Sequence, residues 1–406
     1  MQMINKINTF FPEVTTHMGA GPCVAHPRVL QAMERPAISH LSADFLDLCQ
    51  IVRGQLQYLL QTKNDFTIPF QGPASGALEA ALTSILEPSD TILICQNGLY
   101  SERMAEIAKR LGANVVTVSH EWGEALDLNR IDAALKTNNN IKVVGYVHAE
   151  TTTNRINDPI ALQSIFNKYE CLVLVDATGS ILNQPVLTDA WGWDIVFTNA
   201  QKCLAAPSGL SPLSISNRAI QKIRTRKTQA SSWMYDLNYL IDLWYEKSSI
   251  SRPFHHNPPV NIMYGLHEAL TLVQEQGIEN IWKRHHTLGH ILKNGLEAIG
   301  LEEHFAVPRE NQIMNMTCYS NPKGLDDQKF RENLTLKHRL SISSGMGKLS
   351  GKVWRISTMG NIYLRDVLTC LTLIEFGLIN AGVCKHESGT AIRSVENDIK
   401  KAMEEL

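Results

Sequence analysis

The chain is 406 residues long, with 44% hydrophobic and 19% charged residues and a formal net charge of -2. That length allows two domains with a sizeable core. The near-neutral balance argues against a binder that holds nucleic acid or an acidic membrane by charge, because such proteins need a basic excess.

No run approaches the roughly 20 apolar residues of a membrane span, and no charged-then-apolar signal opens the chain. Eight cysteines lie at irregular positions without a C-x-x-C pair or a Cys/His ligand spacing, so neither a disulfide framework nor a metal site is expected. Several, among them Cys95, Cys171 and Cys370, sit inside apolar runs as small core hydrophobes, which makes the reducing cytoplasm the expected compartment.

In chain order, the first 20 residues have no period and are expected as an arm lying across the surface or against a C-terminal domain. From 67 to 199 helix-period and short apolar segments alternate, the pattern of βα units around a mainly parallel sheet. A stripe of Ala77, Leu78, Ala81, Leu82 and Ile85 predicts a helix over 74–86, stopped by Glu87-Pro88. A strand is expected over 91–95. A helix capped by Ser101 then runs to Leu111, ended by Gly112.

Further strands are read at 115–118 and 141–147, with a helix at 129–135 between them. Asp158-Pro159 starts another helix. Apolar strands over 171–176 and 194–199 follow, then a turn at 206–209 and a returning strand at 213–215. The basic run 222–227 reads as a solvated helix face. A long helix over 260–276, ended by Gly277, leads to a smaller α+β domain with strands at 314–318 and 353–356. The resulting division is 1–20 arm, 21–277 large domain and 278–406 small domain.

Two of those strand ends carry chemistry. Asp176 closes one apolar run and Lys202 closely follows the next. Singly, a strand-end Asp caps the next element and a Lys is a solvated charge. Together, where an α/β sheet exposes its ligand-binding loops, they supply what pyridoxal phosphate requires: an amine for its aldehyde and a carboxylate for its pyridine nitrogen. Upstream, Gln71-Gly72-Pro73-Ala74-Ser75-Gly76 leads straight into a helix, which offers backbone N–H groups and a dipole to a phosphate.

At these residues the chain resembles the class-V aminotransferases, within the fold-type I pyridoxal phosphate enzymes, and in particular their alanine:glyoxylate and serine:pyruvate branch. The resemblance covers nearly the whole chain. It rests on His17-Met18-Gly19-Ala20-Gly21-Pro22, Ala77-Leu78-Glu79-Ala80-Ala81-Leu82, Asn97-Gly98-Leu99-Tyr100, Leu174-Val175-Asp176, Ala200-Gln201-Lys202, His255-His256-Asn257-Pro258-Pro259-Val260 and Gly351-Lys352-Val353-Trp354-Arg355-Ile356.

The resemblance implies an α/β fold with a mainly parallel seven-stranded sheet in the large domain and a smaller α+β C-terminal domain. It makes Lys202 the Schiff-base lysine and proton shuttle, Asp176 the pyridinium partner and Tyr100 the aromatic on the ring. Ala74, Ser75 and Gln201 match phosphate-side positions, and Thr152 and Thr178 positions near the ring. Arg355 matches the arginine that grips a substrate carboxylate, with Ala20 and Gly21 beside it. His255, His256 and Asn257 match a segment that reaches a neighbouring subunit's phosphate, implying a homodimer.

The implied activity is ping-pong transamination between a small amino acid, alanine or serine, and a 2-oxo acid, glyoxylate or pyruvate. Transamination of 2-aminoethylphosphonate or pyridoxamine is the alternative within the family, and a catalytically silent scaffold the alternative outside it. The chain departs from the family pattern at Pro73-Ala74, Ala20, Tyr100, Phe254 and Asn257. The cysteine that a desulfurase carries before the arginine is absent from 338–350.

Overall fold

The computed structural model describes residues 13–244 and 253–405. Its main sheet has seven strands: β1 (Phe66–Gln71), β2 (Thr91–Gln96), β3 (Asn114–Ser119), β4 (Ile141–Val147), β5 (Leu172–Asp176), β6 (Ile195–Phe197) and β7 (Leu210–Ile215). Their spatial order is β1-β7-β6-β5-β4-β2-β3. Strand β7 runs antiparallel to both neighbours, and the remaining pairs are parallel.

Strands β5 and β7 are buried along their whole length, as expected of a sheet covered by helices on both faces. The covering helices include α1 (Ala43–Leu60), α2 (Ala74–Ile85), α3 (Leu99–Arg110), α4 (Leu128–Thr137) and α5 (Pro159–Phe166).

Helix α5 starts as the sequence predicts, with Asp158 accepting from the N–H groups of Ile160 and Ala161 and Pro159 in the first turn. Helix α3 does not. It begins at Leu99, and Ser101 lies inside its first turn, bonded to the Gly98 carbonyl at 2.9 Å. The basic run after β7 is also not simply solvated. Lys222 pairs with Asp90 at 3.1 Å, and Nη1 of Arg226 donates to the carbonyls of Thr83, Ser84 and Leu86, tying down the C-terminal end of α2.

Two long helices, α6 (Val260–Gln276) and α7 (Ile278–Ala298), meet at Gly277, whose φ of 82° is left-handed. Ile278 and Ile281 pack into the core around the main sheet, whereas Leu288, Ile291, Leu292 and Leu296 pack into a second core. One helix thus joins two hydrophobic centres. The second core lies among α7, α8 (Asp327–His338), α9 (Leu364–Asn380) and a three-stranded antiparallel sheet of β8 (Tyr319–Ser320), β9 (Ser343–Ser344) and β10 (Val353–Arg355), with β10 central.

The strand expected at 314–318 is displaced to β8. Over 314–318 the backbone makes only irregular contacts, such as Thr317 N–H to the Ile356 carbonyl at 2.8 Å.

The N-terminal arm runs against this second unit. Thr16–His17 pairs parallel with Leu340–Ser341, and the Ser357 N–H donates to the Met18 carbonyl at 2.6 Å. The arm then crosses to the main sheet, where the Cys23 N–H donates to the Gln201 carbonyl at 2.8 Å.

Candidate active site

The chain goes outward from β2 to β3 and then returns to β4 on the other side, so the loops after β2 and β4 diverge. Ligands of α/β sheets bind in the crevice beyond such a switch point. A cavity of about 380 Å³ lies there, walled by Asp176, Lys202, Arg355, Tyr100, Ala74 and Ser75. A larger cavity of about 660 Å³, lined by Cys203, Leu204 and Arg284 among others, lacks an amine and carboxylate so placed. Asp176 and Lys202 both line the smaller one.

Asp176 ends β5 and pairs in register with Phe197 at the end of β6, so the loop carrying Lys202 starts beside it. Asp176 Oδ1 accepts the Thr178 N–H at 2.8 Å, leaving Oδ2 for another donor. Burial pushes the Asp176 carboxyl up, while Thr178 and the charges of Lys202 and Arg103 pull it down. A protonated ring nitrogen facing it would hold it ionised. Lys202 is itself buried, and its Nζ lies 5.4 Å from the Tyr100 ring centroid.

Gly21 is required next to that amine. Its φ is +97°, and a Cβ there would lie 3.1 Å from Lys202 Cγ.

The phosphate end of the cavity is the start of α2, where Pro73 provides no side-chain cap and Ala74 and Ser75 line the wall. Thr178 Oγ1, Gln201 Oε1 and Asn199 Oδ1, all on cavity-lining residues, have no hydrogen-bond partner among the described residues. Buried polar atoms are rarely left so. Arg355 is only 5% exposed; its Nε donates to the Ser344 carbonyl at 3.1 Å, and it forms no ion pair among the described residues. An amine, a carboxylate, an uncapped helix start, an aromatic wall and unpartnered polar side chains fit pyridoxal phosphate.

Of the residues expected from sequence, Ala20, Gly21, Ala74, Ser75, Tyr100, Asp176, Thr178, Gln201, Lys202 and Arg355 come together on this cavity. Thr152 does not. Its hydroxyl donates to Glu150 at 2.6 Å and accepts the Leu99 N–H at 3.3 Å, one layer behind the wall. His256 and Asn257 also lie off this cavity. His255 packs on Trp233 with ring centroids 4.6 Å apart, and both ring nitrogens of His256 lack a hydrogen-bond partner among the described residues.

The sequence reading named neither Arg103 nor Glu150, and placed Asn199 and Met346 only at a strand end and in a glycine-flanked loop over the site. Arg103 lines the cavity with its guanidinium 5.0 Å from the Tyr100 centroid, and its i+3 spacing from Tyr100 on α3 was a usable signal. Asn199 and Met346 line it as well. Glu150 lies behind it, fully buried, and accepts the N–H groups of Tyr100 and Ser101 at 3.1 and 3.4 Å. This carboxylate is the cap that α3 lacks locally. Gly98 makes room for it, since a Cβ there would come within 2.2 Å of Glu150 Cγ. Burial pushes Glu150 up to about 6.

Fold and site together define a pyridoxal phosphate-dependent enzyme of the α/β transferase type. The aminotransferase class-V family model matches residues 27–348, and the chain belongs to that family: it is a pyridoxal phosphate-dependent transaminase. It is 33% identical to the alanine--glyoxylate aminotransferase of Callithrix jacchus over 87% of this chain and 85% of that one.

Among solved structures, the ureidoglycine-glyoxylate aminotransferase of Bacillus subtilis is similar with a TM-score of 0.91 and 32% identity, covering 96% of this chain and 99% of that one. The pyridoxamine-pyruvate aminotransferase of Mesorhizobium loti has a TM-score of 0.85 at 27% identity, covering 96% and 99%.

Proposed function

We propose that this transaminase moves the amino group of a small α-amino acid, alanine or serine, to glyoxylate or pyruvate, in two half-reactions at one site. The observation that carries the reading is Arg355: a nearly buried guanidinium, oriented by the Ser344 carbonyl, with no ion-pair partner among the described residues. An unpaired buried charge is costly, and a substrate carboxylate would offset that cost with a planar two-point contact.

The modest cavity, near the low end of the roughly 300–1,000 Å³ usual for ligand sites, must hold cofactor and substrate together and so favours a small side chain. A donor without a carboxylate, such as pyridoxamine, leaves Arg355 unmatched.

When bound, pyridoxal phosphate acts as the sink for the electron pair left as the substrate Cα proton departs. Lys202 is assigned as the cofactor's attachment point and as the base that takes that proton on Nζ and returns it. Asp176 would hold the proton of the ring nitrogen. Tyr100 forms one wall of the ring slot, while the start of α2 with Ser75, Gln201 and Thr178 holds the polar substituents.

His256 and Asn257, placed away from their own chain's cavity, are assigned to the phosphate of a second subunit, which makes the working unit a homodimer. The eight cysteines are all unpaired, the state a reducing cytoplasm maintains. No described helix is long and apolar enough to cross a membrane.

The test is a half-reaction screen in which holoenzyme is mixed with single amino acids and loss of the cofactor's lysine-bound absorbance is followed. Alanine or serine should discharge it fastest. A faster discharge by 2-aminoethylphosphonate or pyridoxamine would replace this substrate assignment.

A further inference from the structure

We infer that Met346 sets the upper limit on substrate side-chain size, and that a clasp of Lys348, Trp122 and Glu102 holds Met346 over the cavity. The inference rests on the reading that a substrate carboxylate sits on Arg355.

Met346 belongs to the turn that leaves β9 and returns in β10, and Arg355, at the far end of β10 and paired with Ser343, lines the same cavity. The turn is tightly wound. The Gly345 N–H donates to the Val353 carbonyl at 2.9 Å, and a Cβ on Gly345 would fall 2.1 Å from the Leu349 carbonyl. From this turn Met346 lines the cavity, and its sulfur accepts the Tyr100 hydroxyl at 3.7 Å. Neither Trp nor Phe at position 100 could make that contact with a hydroxyl. Met346 therefore bridges the carboxylate anchor and the aromatic wall, and a substrate gripped at Arg355 with its Cα near Lys202 has its side chain bounded by this thioether.

A methionine alone is a flexible boundary, but this one is fixed from outside. Lys348 Nζ lies 4.3 Å over the Trp122 ring, and Trp122 Nε1 donates to Glu102 Oε1 at 2.6 Å. Leu349 is buried in a small cluster with Trp122, Cys318 and Val353. Gly347, at φ +55°, passes so close that a Cβ would touch Trp122 at 3.4 Å. Glu102 and Tyr100 share the first turn of α3, so the clasp ties the turn to the helix that supplies the opposite wall.

The experiment compares kcat/KM for alanine, 2-aminobutyrate and norvaline in the wild-type holoenzyme and in Met346→Ala, Met346→Leu and Lys348→Ala. One methylene is worth roughly 10- to 200-fold in such a pocket. Met346→Ala should raise the norvaline-to-alanine ratio by at least about 10-fold, while Met346→Leu keeps the wild-type ratio. Lys348→Ala, outside the cavity, should raise the ratio by a smaller factor through KM.

A uniform fall for every donor in Met346→Ala, or an unchanged ratio, overturns the inference by reducing Met346 to a structural role. If the wild type prefers a donor without a carboxylate, the donor reading fails instead. The same ratio is then read with pyruvate, 2-oxobutyrate and 2-oxovalerate as acceptors, whose carboxylates still require Arg355.

Discussion

The floor and the rim of the cavity are built differently. On the floor, Asp176 and the Lys202 loop leave adjacent strand ends in a sheet buried on both faces, and the backbone ladder fixes their spacing. The rim comes from the other unit and the arm, where Arg355, Ser343 and Met346 ride on two- and three-residue strands and a turn. It is joined to the floor by contacts such as Cys23 N–H to the Gln201 carbonyl at 2.8 Å. A rigid floor suits proton transfer, which fails with small displacements. A rim on short elements can move, so discrimination among substrates is expected there and loss of a rim residue should change specificity before it abolishes chemistry.

The largest effects are therefore expected on the floor. Lys202→Ala should lower turnover by on the order of 10³-fold or more, since it removes both the nucleophilic amine and the proton shuttle. Borohydride reduction and peptide mapping of the wild type should place the cofactor label on Lys202. A label at another lysine breaks the comparison at its base. Asp176→Asn keeps the shape and loses the charge, and should cost roughly 10²- to 10³-fold in turnover with an unchanged thermal midpoint. Near-normal turnover would mean that another group serves the ring nitrogen.

On the rim, Arg355→Ala should raise KM for carboxylate substrates. Loss of a buried charged contact costs about 2 to 5 kcal/mol, so kcat/KM should fall by tens- to thousands-fold. The comparison sharpens if Arg355→Ala leaves cofactor affinity intact while Asp176→Asn lowers it.

The floor was legible in the sequence and much of its support was not. Strand-end placement identified Asp176 and Lys202 because an apolar run followed by a polar residue is a local pattern, and the alternating βα pattern gave the main sheet. Ser101 was misread as a cap because the actual cap, Glu150, approaches from the loop after β4, and such an approach depends on strand order. Arg226 looked like one cation of a solvated run because its three carbonyl partners lie about 140 residues away in sequence. The strand expected at 314–318 is apolar enough, but its neighbours pair with Tyr319 and Ser320 instead. Met346 falls in the glycine-flanked run Gly345-Met346-Gly347, which reads as a loop over the site, but its contact with the Tyr100 hydroxyl does not follow from the sequence.

Glu150, between floor and wall, should give the smallest effect and the most distinctive pH signature. Its carboxyl is raised from 4.5 to about 6, mainly by burial and also by the nearby Asp176 charge, against hydrogen bonds from Thr152 and Ser101. A raised carboxyl binds more protons in the folded chain than in the unfolded one between those two values, so stability falls as pH rises through that window. Below 4.5 both states are protonated and the group is neutral in its effect. Above 6 both are ionised, and the folded state carries a cost of about 2 kcal/mol. Glu150→Gln removes this titration and keeps an oxygen for the Thr152 hydroxyl, but sets an amide NH2 against the Tyr100 and Ser101 N–H groups that Oε2 accepts, so the start of α3 loses its cap, worth about 0.5–2 kcal/mol. The two terms oppose each other at pH 7, so the thermal midpoint of the holoenzyme there should move little. Between pH 4.5 and 6, however, the wild type should lose stability relative to the variant by about 2 kcal/mol. Parallel pH profiles for the two proteins would show that Glu150 is not the group titrating under the aromatic wall, and would leave α3 capped by a carboxylate that stays ionised throughout.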